Sequence, residues 1–541
     1  MRGGLDSFPL MNTKEKIAKL IDQAVKENQK NGAFPDFVIP RVSVEPPEDK
    51  TRGDYATNVA LQLAKTVKKN PLEVANAINS QLLVGAPKFI EKTEIAGPGF
   101  INFFLSPAYL QKQVGEILKK KEAFGSLNIG KKKKLQVEFI SANPTGPLTV
   151  GNARGGFVGD TLANVLTRAG YKVEKAYYVN DCGMQILALG HSVLKDSEAV
   201  YKGDYIDYLN TKIKETDFRK AGQKAVKIIM AEMIKKTVKK MGIKYDEWIS
   251  ENAIHKSGVV NKVLKLFAQK GLTYEKDGAL WFKATQFGDQ RDRVVLKHDG
   301  EKTYLAGDAG LHQYKFGVKK FAKVINIWGA DHFGDVPGLM AVVEALGHKG
   351  KLEIILLQFV TLIKDGQPFK MSKRLGTYVT VDELLELVNL DAARFFFLSR
   401  SPDTHLNFDI NLAKEQSEKN PIFYIQYAHA RICSILKKIP GKLKIVNPRL
   451  KLLSHQSEMA LMKQLARFPE VVEDTVRDYQ VQRLPEYAFG LATAFHAFYR
   501  DCRVISSGKD LTQARIVLVL ATKTVLKNTL DLMGISSPEK M

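Results

Sequence analysis

The chain has 541 residues, more than one hydrophobic core can serve, so about three or four domains are expected. Its apolar share of 45% allows a sizeable core, and no apolar run approaches the roughly 20 residues that cross a bilayer. The 81 Lys and Arg against 58 Asp and Glu leave +23, a surplus that suits a polyanion (nucleic acid or an anionic membrane) or serves as a solubilising surface. Cys182, Cys433 and Cys502 stand far apart, so spacing points to no metal-ligand pair, no structural zinc and no disulfide framework. A reducing cytoplasm is the expected compartment. Met1 to Leu10 lacks the basic-then-apolar order of a secretory signal, and Met11 is an alternative start.

Residues 1–107 mix helical periodicity (Ile17, Leu20, Ile21, Ala24) with short apolar runs, as a small α/β domain does. A basic stretch, Lys131 to Lys134, turns into the apolar run Leu135 to Ile140. A Pro/Gly-rich turn and a long amphipathic segment follow, stopped at Gly170, and Val173 to Val179 reads as the next strand. Residues 130–195 are thus the first half of an α/β domain. Residues 196–275 carry helical spacing (Ile228, Ile229, Met233, Ile234) without a strand rhythm, which predicts a helical insertion. Strand-like runs resume at 279–282, 294–296, 324–327 and 352–357, so 276–364 is expected to complete one parallel sheet. Residues 365–410 hold a basic loop. From 411 to 541 every apolar pattern is helical, with candidates near 412–437, 456–478, 482–505 and 511–533.

Two segments suit phosphate. Pro144 to Gly155 lies between a strand and a long helix, whose N-terminal N–H groups and dipole attract anions, and Gly146 and Gly151 let a ligand approach the backbone. An ordinary tight βα turn explains the same residues. The second segment, Phe369-Lys-Met-Ser-Lys-Arg-Leu-Gly-Thr377, follows a hairpin-like turn at Lys364-Asp-Gly366. Its Lys370 and Lys373 beside Ser372 can wrap a triphosphate and stabilise charge on a leaving pyrophosphate, unless the loop is merely a solvated basic one.

These two elements, in this order, resemble the His-x-Gly-His and Lys-Met-Ser-Lys-Ser motifs of class I aminoacyl-tRNA synthetases. Longer stretches are similar to the arginyl-tRNA synthetase family: Val137 to Gly146, Tyr178 to Asp181, Gly329 to His332, Phe395 to Arg400, Tyr424 to Arg431, Ala494 to Arg503, and Gly53 to Asn58. The resemblance covers almost the whole chain except the helical insertion. It implies a multidomain α/β protein with a Rossmann-like catalytic sheet, a small N-terminal domain that contacts tRNA, a stem-contact region after the lysine loop, and an all-helical anticodon-binding bundle. It also implies an arginine–tRNA ligase: arginine attacks ATP, with Mg²⁺ helping to hold the phosphates, and the adenylate is passed to tRNA(Arg). A cytoplasmic monomer with no membrane partner and no metal bound by its own residues is expected.

Carried over residue by residue, the resemblance assigns catalysis to Lys370, Lys373, Thr149 and Asn152. ATP falls to Gly151, Asn152, Gly329, Asp331, His332, Lys370, Ser372 and Lys373. Arginine falls to Glu138, Ser141, Asn143, Tyr304 and Asp308, since an always-charged planar guanidinium needs carboxylates. For tRNA it points to Tyr427, Arg431 and Arg503, although aromatics at helical spacing are more often core. The chain departs from the family in the first motif, where Thr149-Val-Gly-Asn152 replaces both histidines by neutral donors. Two other readings therefore stand beside the ligase. The helical C-terminal third argues against an adenylate-forming nucleotidyltransferase without tRNA. The retained lysine loop and acidic residues argue against an inactive RNA-binding relative.

Overall fold

The computed structural model describes residues 12–84, 87–369, 379–439, 448–505 and 508–541. Met1, Met11 and the lysine-loop residues Lys370, Ser372 and Lys373 lie outside the described residues. Helix α1 (Thr13–Lys30) starts on a reciprocal cap: Asn12 accepts from the Glu15 N–H at 2.9 Å, and Glu15 accepts from the Asn12 N–H at 3.1 Å. Strands β1 (Tyr55–Thr57), β2 (Ile90–Ala96) and β3 (Phe100–Leu105) form an antiparallel sheet with β3 in the middle. Helices α2 (Val59–Val67) and α3 (Pro71–Leu83) pack on it, and α4 (Pro107–Lys120) leads away.

Strand β4 (Lys134–Glu138), helix α5 (Val150–Arg168) and β5 (Lys172–Val179) form the βαβ unit that the sequence predicts, with Gly170 at φ +90° just past the helix. Helices α6 (Met184–Leu194), α7 (Asp204–Lys212), α8 (Phe218–Ile228) and α9 (Lys235–Lys240) follow. The next element departs from the all-helical expectation. Strand β6 (Glu247–Ser250) pairs in parallel with β5 at the sheet edge. Four residues framed by Asp246 and Glu251 are too few to show a strand period.

After α10 (Glu251–Lys256) and α11 (Val259–Gln269) come β7 (Thr273–Lys276), β8 (Ala279–Phe282) and β9 (Arg293–Leu296). They form a separate antiparallel sheet, which corrects the expectation that 279–282 and 294–296 join the parallel one. The cause is local. Asp277 and Gly278, both at positive φ (53° and 74°), make a two-residue hairpin turn that folds β8 back on β7. Helix α12 (Tyr304–Gln313), β10 (Lys323–Gly329), α13 (Val336–Ala345) and β11 (Leu352–Leu357) complete the parallel sheet, in the order β11–β10–β4–β5–β6. The chain leaves β4 toward β5 on one side while β10 lies on the other. Between β4 and β10 the strand order reverses, and the crevice beyond their carboxyl ends is where such sheets take ligands.

Strands β12 (Val360–Lys364) and β13 (Gln367–Pro368) form the expected hairpin around Asp365-Gly366, and β14 (Leu406–Asp409) pairs in parallel with β12. Between them run α14 (Val381–Leu387) and α15 (Leu390–Leu398). Beyond Asp409 the described elements are helical: α16 (Ile410–Lys414), α17 (Pro421–Lys437), α18 (Gln456–Ala466), α19 (Phe468–Asp478), α20 (Arg483–Asp501) and α21 (Lys509–Met533). The candidates near 412–437 and 456–478 are each broken in two. A proline cannot donate to the preceding turn, so a new helix starts at or beside Pro421 and Pro469. Among the described residues no helix is long and apolar enough to cross a membrane.

One apolar cluster runs through the N-terminal helices, the sheet and the bundle. Arg394, 1% exposed, ties the sheet domain to the bundle further: it meets Asp160 of α5 at 2.9 Å and the carbonyls of Met241 and, at the end of α21, Met533.

Candidate active site

The turn after β4 builds the crevice floor from strained backbone. Ile140 and Ser141 sit at φ +66° and +40°, a region costing about 1–3 kcal/mol for such residues. The strain aims polar groups. Ser141 Oγ accepts the Tyr178 N–H at 3.0 Å and donates to Glu138 Oε1 at 3.3 Å, while Asn143 Oδ1 accepts from Asn180 at 2.7 Å. At the start of α5, Asn152 Oδ1 accepts from the Thr149 N–H at 2.9 Å and from the Thr149 hydroxyl at 3.1 Å. Each departed motif position therefore supports the other, and the Thr149 hydroxyl proton is already engaged within the turn.

These residues open on one cavity of about 1140 Å³. Glu138, Ser141, Asn143, Thr149, Gly151, Asn152, Tyr304, Asp308, Gly329, Asp331 and His332 all line it. The sequence-assigned arginine and ATP residues within the described chain are thus brought together. Phe369 and Val379, which flank the lysine loop in sequence, also line the cavity. The far flank is fastened to the first motif, where Val379 O accepts the Val150 N–H at 3.0 Å and Leu148 O accepts the Val381 N–H at 2.9 Å.

The cavity wall is acidic. Glu138 is buried, not the solvent-facing strand residue its neighbours Val137 and Phe139 would allow, and its Oε2 meets Lys315 Nζ at 2.6 Å. A π turn over Tyr314–Val318 swings Lys315 inward from the end of α12. Asn326 accepts from Lys315 at 3.1 Å and faces His312 Nε2 at 3.1 Å. Burial, with Lys315 nearby, keeps His312 well below the usual histidine range and hence neutral. Half-buried Asp308 is pushed up to about 7, by burial first and then by Glu138, Glu251 and Asp335, with Lys315 opposing. His332 is exposed beside Asp335 at 3.3 Å.

The comparisons with known proteins agree on one family. The arginyl-tRNA synthetase N-terminal domain model matches residues 15–105. The class I tRNA synthetase (R) catalytic domain matches 113–199 and 194–395, and the DALR anticodon-binding domain matches 425–541. An arginine–tRNA ligase of Caldanaerobacter subterraneus is 42% identical over 98% of this chain and 99% of its own length. The chain belongs to the class I arginyl-tRNA synthetases. A Bacillus subtilis arginine–tRNA ligase is 41% identical over 98% of this chain and its full length. The fold is also that of the Thermus thermophilus arginyl-tRNA synthetase (TM-score 0.79, 24% identity, 98% of this chain and 100% of that one).

Sequence reasoning about this synthetase missed Glu251. It lines the same cavity, 8% exposed, with its carboxyl raised by burial foremost and also by Asp181. Read along the chain it is only an acid in the first turn of α10, inside a segment expected to be an insertion, so no sequence signal marks it. Arg154 was also passed over. It is 1% exposed and donates to the carbonyls of Gln358, Ser401 and Thr404 at 2.6–2.8 Å, which locks α5 to the segments that lead into β12 and β14.

On the bundle, a second cavity of about 490 Å³ is lined by Phe423, Tyr424, Tyr427, His496 and Arg500 among others. The Arg431 guanidinium lies 5.0 Å from the Tyr427 ring centre and 5.1 Å from that of Tyr499. Arg503 is not brought to it. It lies exposed past the end of α20, where its carbonyl accepts from Arg515. His429 and Phe498 are buried, 1% and 0% exposed, as core aromatics are.

Proposed function

We propose that this ligase activates arginine with ATP in the β4/β10 crevice and passes it to tRNA(Arg), with the residues in the following roles. One observation carries the assignment: three carboxylates (Glu138, Glu251, Asp308) line one cavity that also takes in a helix N-terminus, and the buried ammonium Lys315 is paired with Glu138 alone among them. The uncompensated acids suit a guanidinium, and the helix start suits a phosphate. Asp308 and Glu251 take the guanidinium, with Tyr304 at its rim. Glu138, Ser141 and Asn143 hold the α-amino and carboxylate end. Gly151 and Asn152 meet the triphosphate, Gly329, Asp331 and His332 the nucleoside side, and Lys370, Ser372 and Lys373 the departing pyrophosphate. Mg²⁺ arrives with ATP, and the exposed carboxylates Asp331 and Asp335 at the rim are hard oxygen donors of the kind it takes. Its charge offsets that of the phosphates.

The aromatic cavity of the bundle reads the anticodon by stacking, with Tyr427 and Arg431 at its edge. Arg503, outside that cavity, contributes through its side-chain charge to holding the tRNA phosphates. The enzyme works as a cytoplasmic monomer. Incubation of the purified chain with ATP, arginine and tRNA tests the assignment: arginyl-tRNA is the expected product, and its absence defeats the reading.

Asp308 makes arginine binding pH-dependent. Its acid form, held by burial and by Glu138, Glu251 and Asp335 against Lys315, must lose its proton before it can face a cation. With a carboxyl at about 7, the arginine KM rises roughly tenfold from pH 8 to pH 6, one unit of protonation. The ATP KM serves as the internal control, and a flat arginine KM removes Asp308 from the guanidinium.

Asn152 offers a narrower check. Its Oδ1 is engaged with Thr149, while its amide N–H groups have no protein partner among the described residues and are free for phosphate. Asn152→Ala is expected to lower pyrophosphate exchange, with tRNA present, by at least about tenfold, the worth of a hydrogen bond to a charged group. Unchanged exchange means that the departed motif no longer touches ATP.

A further inference from the structure

Glu251 also belongs to a second group of side chains, whose other two members the reaction does not use. Cys182, Glu251 and His255 each offer one ligand atom, and the three atoms lie within 4.8 Å of one another. Cys182 follows β5, Glu251 opens α10, and His255 stands four residues on, so the last two share a helix face. Glu251 Oε1 and His255 Nε2 are 3.8 Å apart. Gly307 of α12 leaves room on the third side: a Cβ there would stand 3.6 Å from each of those two atoms. Cys182 and His255 are half-buried, so an ion has a way in.

Sulfur, imidazole nitrogen and carboxylate oxygen are the donor set of Zn²⁺, which accepts three protein ligands with a fourth position open. Tetrahedral bonds of about 2.0–2.3 Å place donors roughly 3.5 Å apart, within reach of small side-chain rotations from the observed separations. Glu251 is at the same time a wall of the arginine cavity, and Gly307, next to its carboxylate, directly precedes Asp308 on α12. A divalent ion and a guanidinium cannot both neutralise that carboxylate.

We propose that Cys182, Glu251 and His255 bind a thiophilic divalent cation of the Zn²⁺ class, and that the bound ion excludes arginine by taking Glu251. Binding forms bonds from the ion to Sγ, a carboxylate oxygen and Nε2. The thiol proton passes to solvent, and no oxidation state changes. The ion site stands on its own geometry, whereas the exclusion rests on the reading of the cavity as the arginine pocket.

The test uses the full chain stripped with a chelator. Titration with Co²⁺ is expected to give a thiolate charge-transfer band saturating near about one ion per chain, displaced by Zn²⁺. The band is lost in both Cys182→Ala and His255→Asn, which leaves Cys433 beside His429 excluded as its source. Saturating Zn²⁺ is expected to weaken arginine binding to the wild type by at least about tenfold, the worth of one charged hydrogen bond to a guanidinium. In the two variants Zn²⁺ has no such effect, and their metal-free arginine affinity, equal to the wild type's, shows that they are folded. No band in the wild type, or a band that persists in both variants, overturns the proposal and leaves a hydrogen-bonded cluster only. A band with arginine affinity unchanged by Zn²⁺ overturns the exclusion. A metal-free wild type that binds no arginine defeats the pocket reading, and the exclusion with it, while the cobalt spectrum still decides the ion site.

Discussion

Asp308→Asn is expected to raise the arginine KM by about 10- to 150-fold, equivalent to losing about 1.5–3 kcal/mol of charged hydrogen bonding, while the ATP KM stays within about twofold. The asymmetry follows from where Asp308 sits. It lines the cavity on α12, the helix that Tyr304 opens, whereas the helix start that suits phosphate belongs to α5, and Lys315, the cation that opposes its protonation, is paired with Glu138. Asparagine keeps the shape and still accepts one hydrogen bond, but it removes the negative charge and replaces one acceptor by a donor that faces the guanidinium donors. The variant should also lose the pH dependence of the arginine KM between pH 6 and 8, because the group that titrates is gone. Glu251→Gln is expected to act in the same direction without removing that pH dependence. If both variants keep the wild-type arginine KM, the acidic wall is structural and the substrate assignment falls.

Glu138→Gln is expected to cost about 3–5 kcal/mol of stability as well as arginine affinity. Glu138 and Lys315 form a pair whose side chains are 5% and 0% exposed. Taking the carboxylate's charge away leaves an ammonium in the interior with Asn326 as its remaining described acceptor, and an uncompensated buried charge is far more costly than the pair is favourable. The denaturation midpoint in urea reads the loss. The double variant Glu138→Gln with Lys315→Met separates the two roles. It should recover much of the stability, since no charge is left unpaired, yet remain poor in arginine activation because the acid is still missing. A single variant as stable as the wild type would mean that water or relaxation reaches Lys315 and that the buried pair is not what stabilises the fold there.

Much of this molecule is local and was therefore legible along the chain. The βαβ unit from Lys134 to Val179, the Asp365-Gly366 hairpin and the helices α20 and α21 follow from periodicity, turn chemistry and stop signals, each set by neighbours in sequence. The errors have equally local causes. Strand β6 is too short to show a period, Pro469 splits a helix whose apolar spacing continues across it, and the Asp277-Gly278 turn diverts two strands into a sheet of their own.

The sequence by itself determined the family and the reaction, because an ordered set of motifs spread over the chain is specific even where Thr149 and Asn152 depart from the pattern. It also named residues from β4, α5, α12 and β10 that line one cavity. Only the tertiary structure decided how their charges combine. The sequence assigned Glu138 to arginine, but its pairing with Lys315, 177 residues away, comes only from the fold. Glu251 joins Asp308 only because β6 carries α10 to the edge of the same crevice. Cysteine spacing excluded a metal built on cysteine pairs, but it says nothing of a thiol meeting an acid and a histidine some 70 residues on, at Glu251 and His255. Electrostatics depends on distance in space, and a chain's order of residues encodes that distance only through the fold.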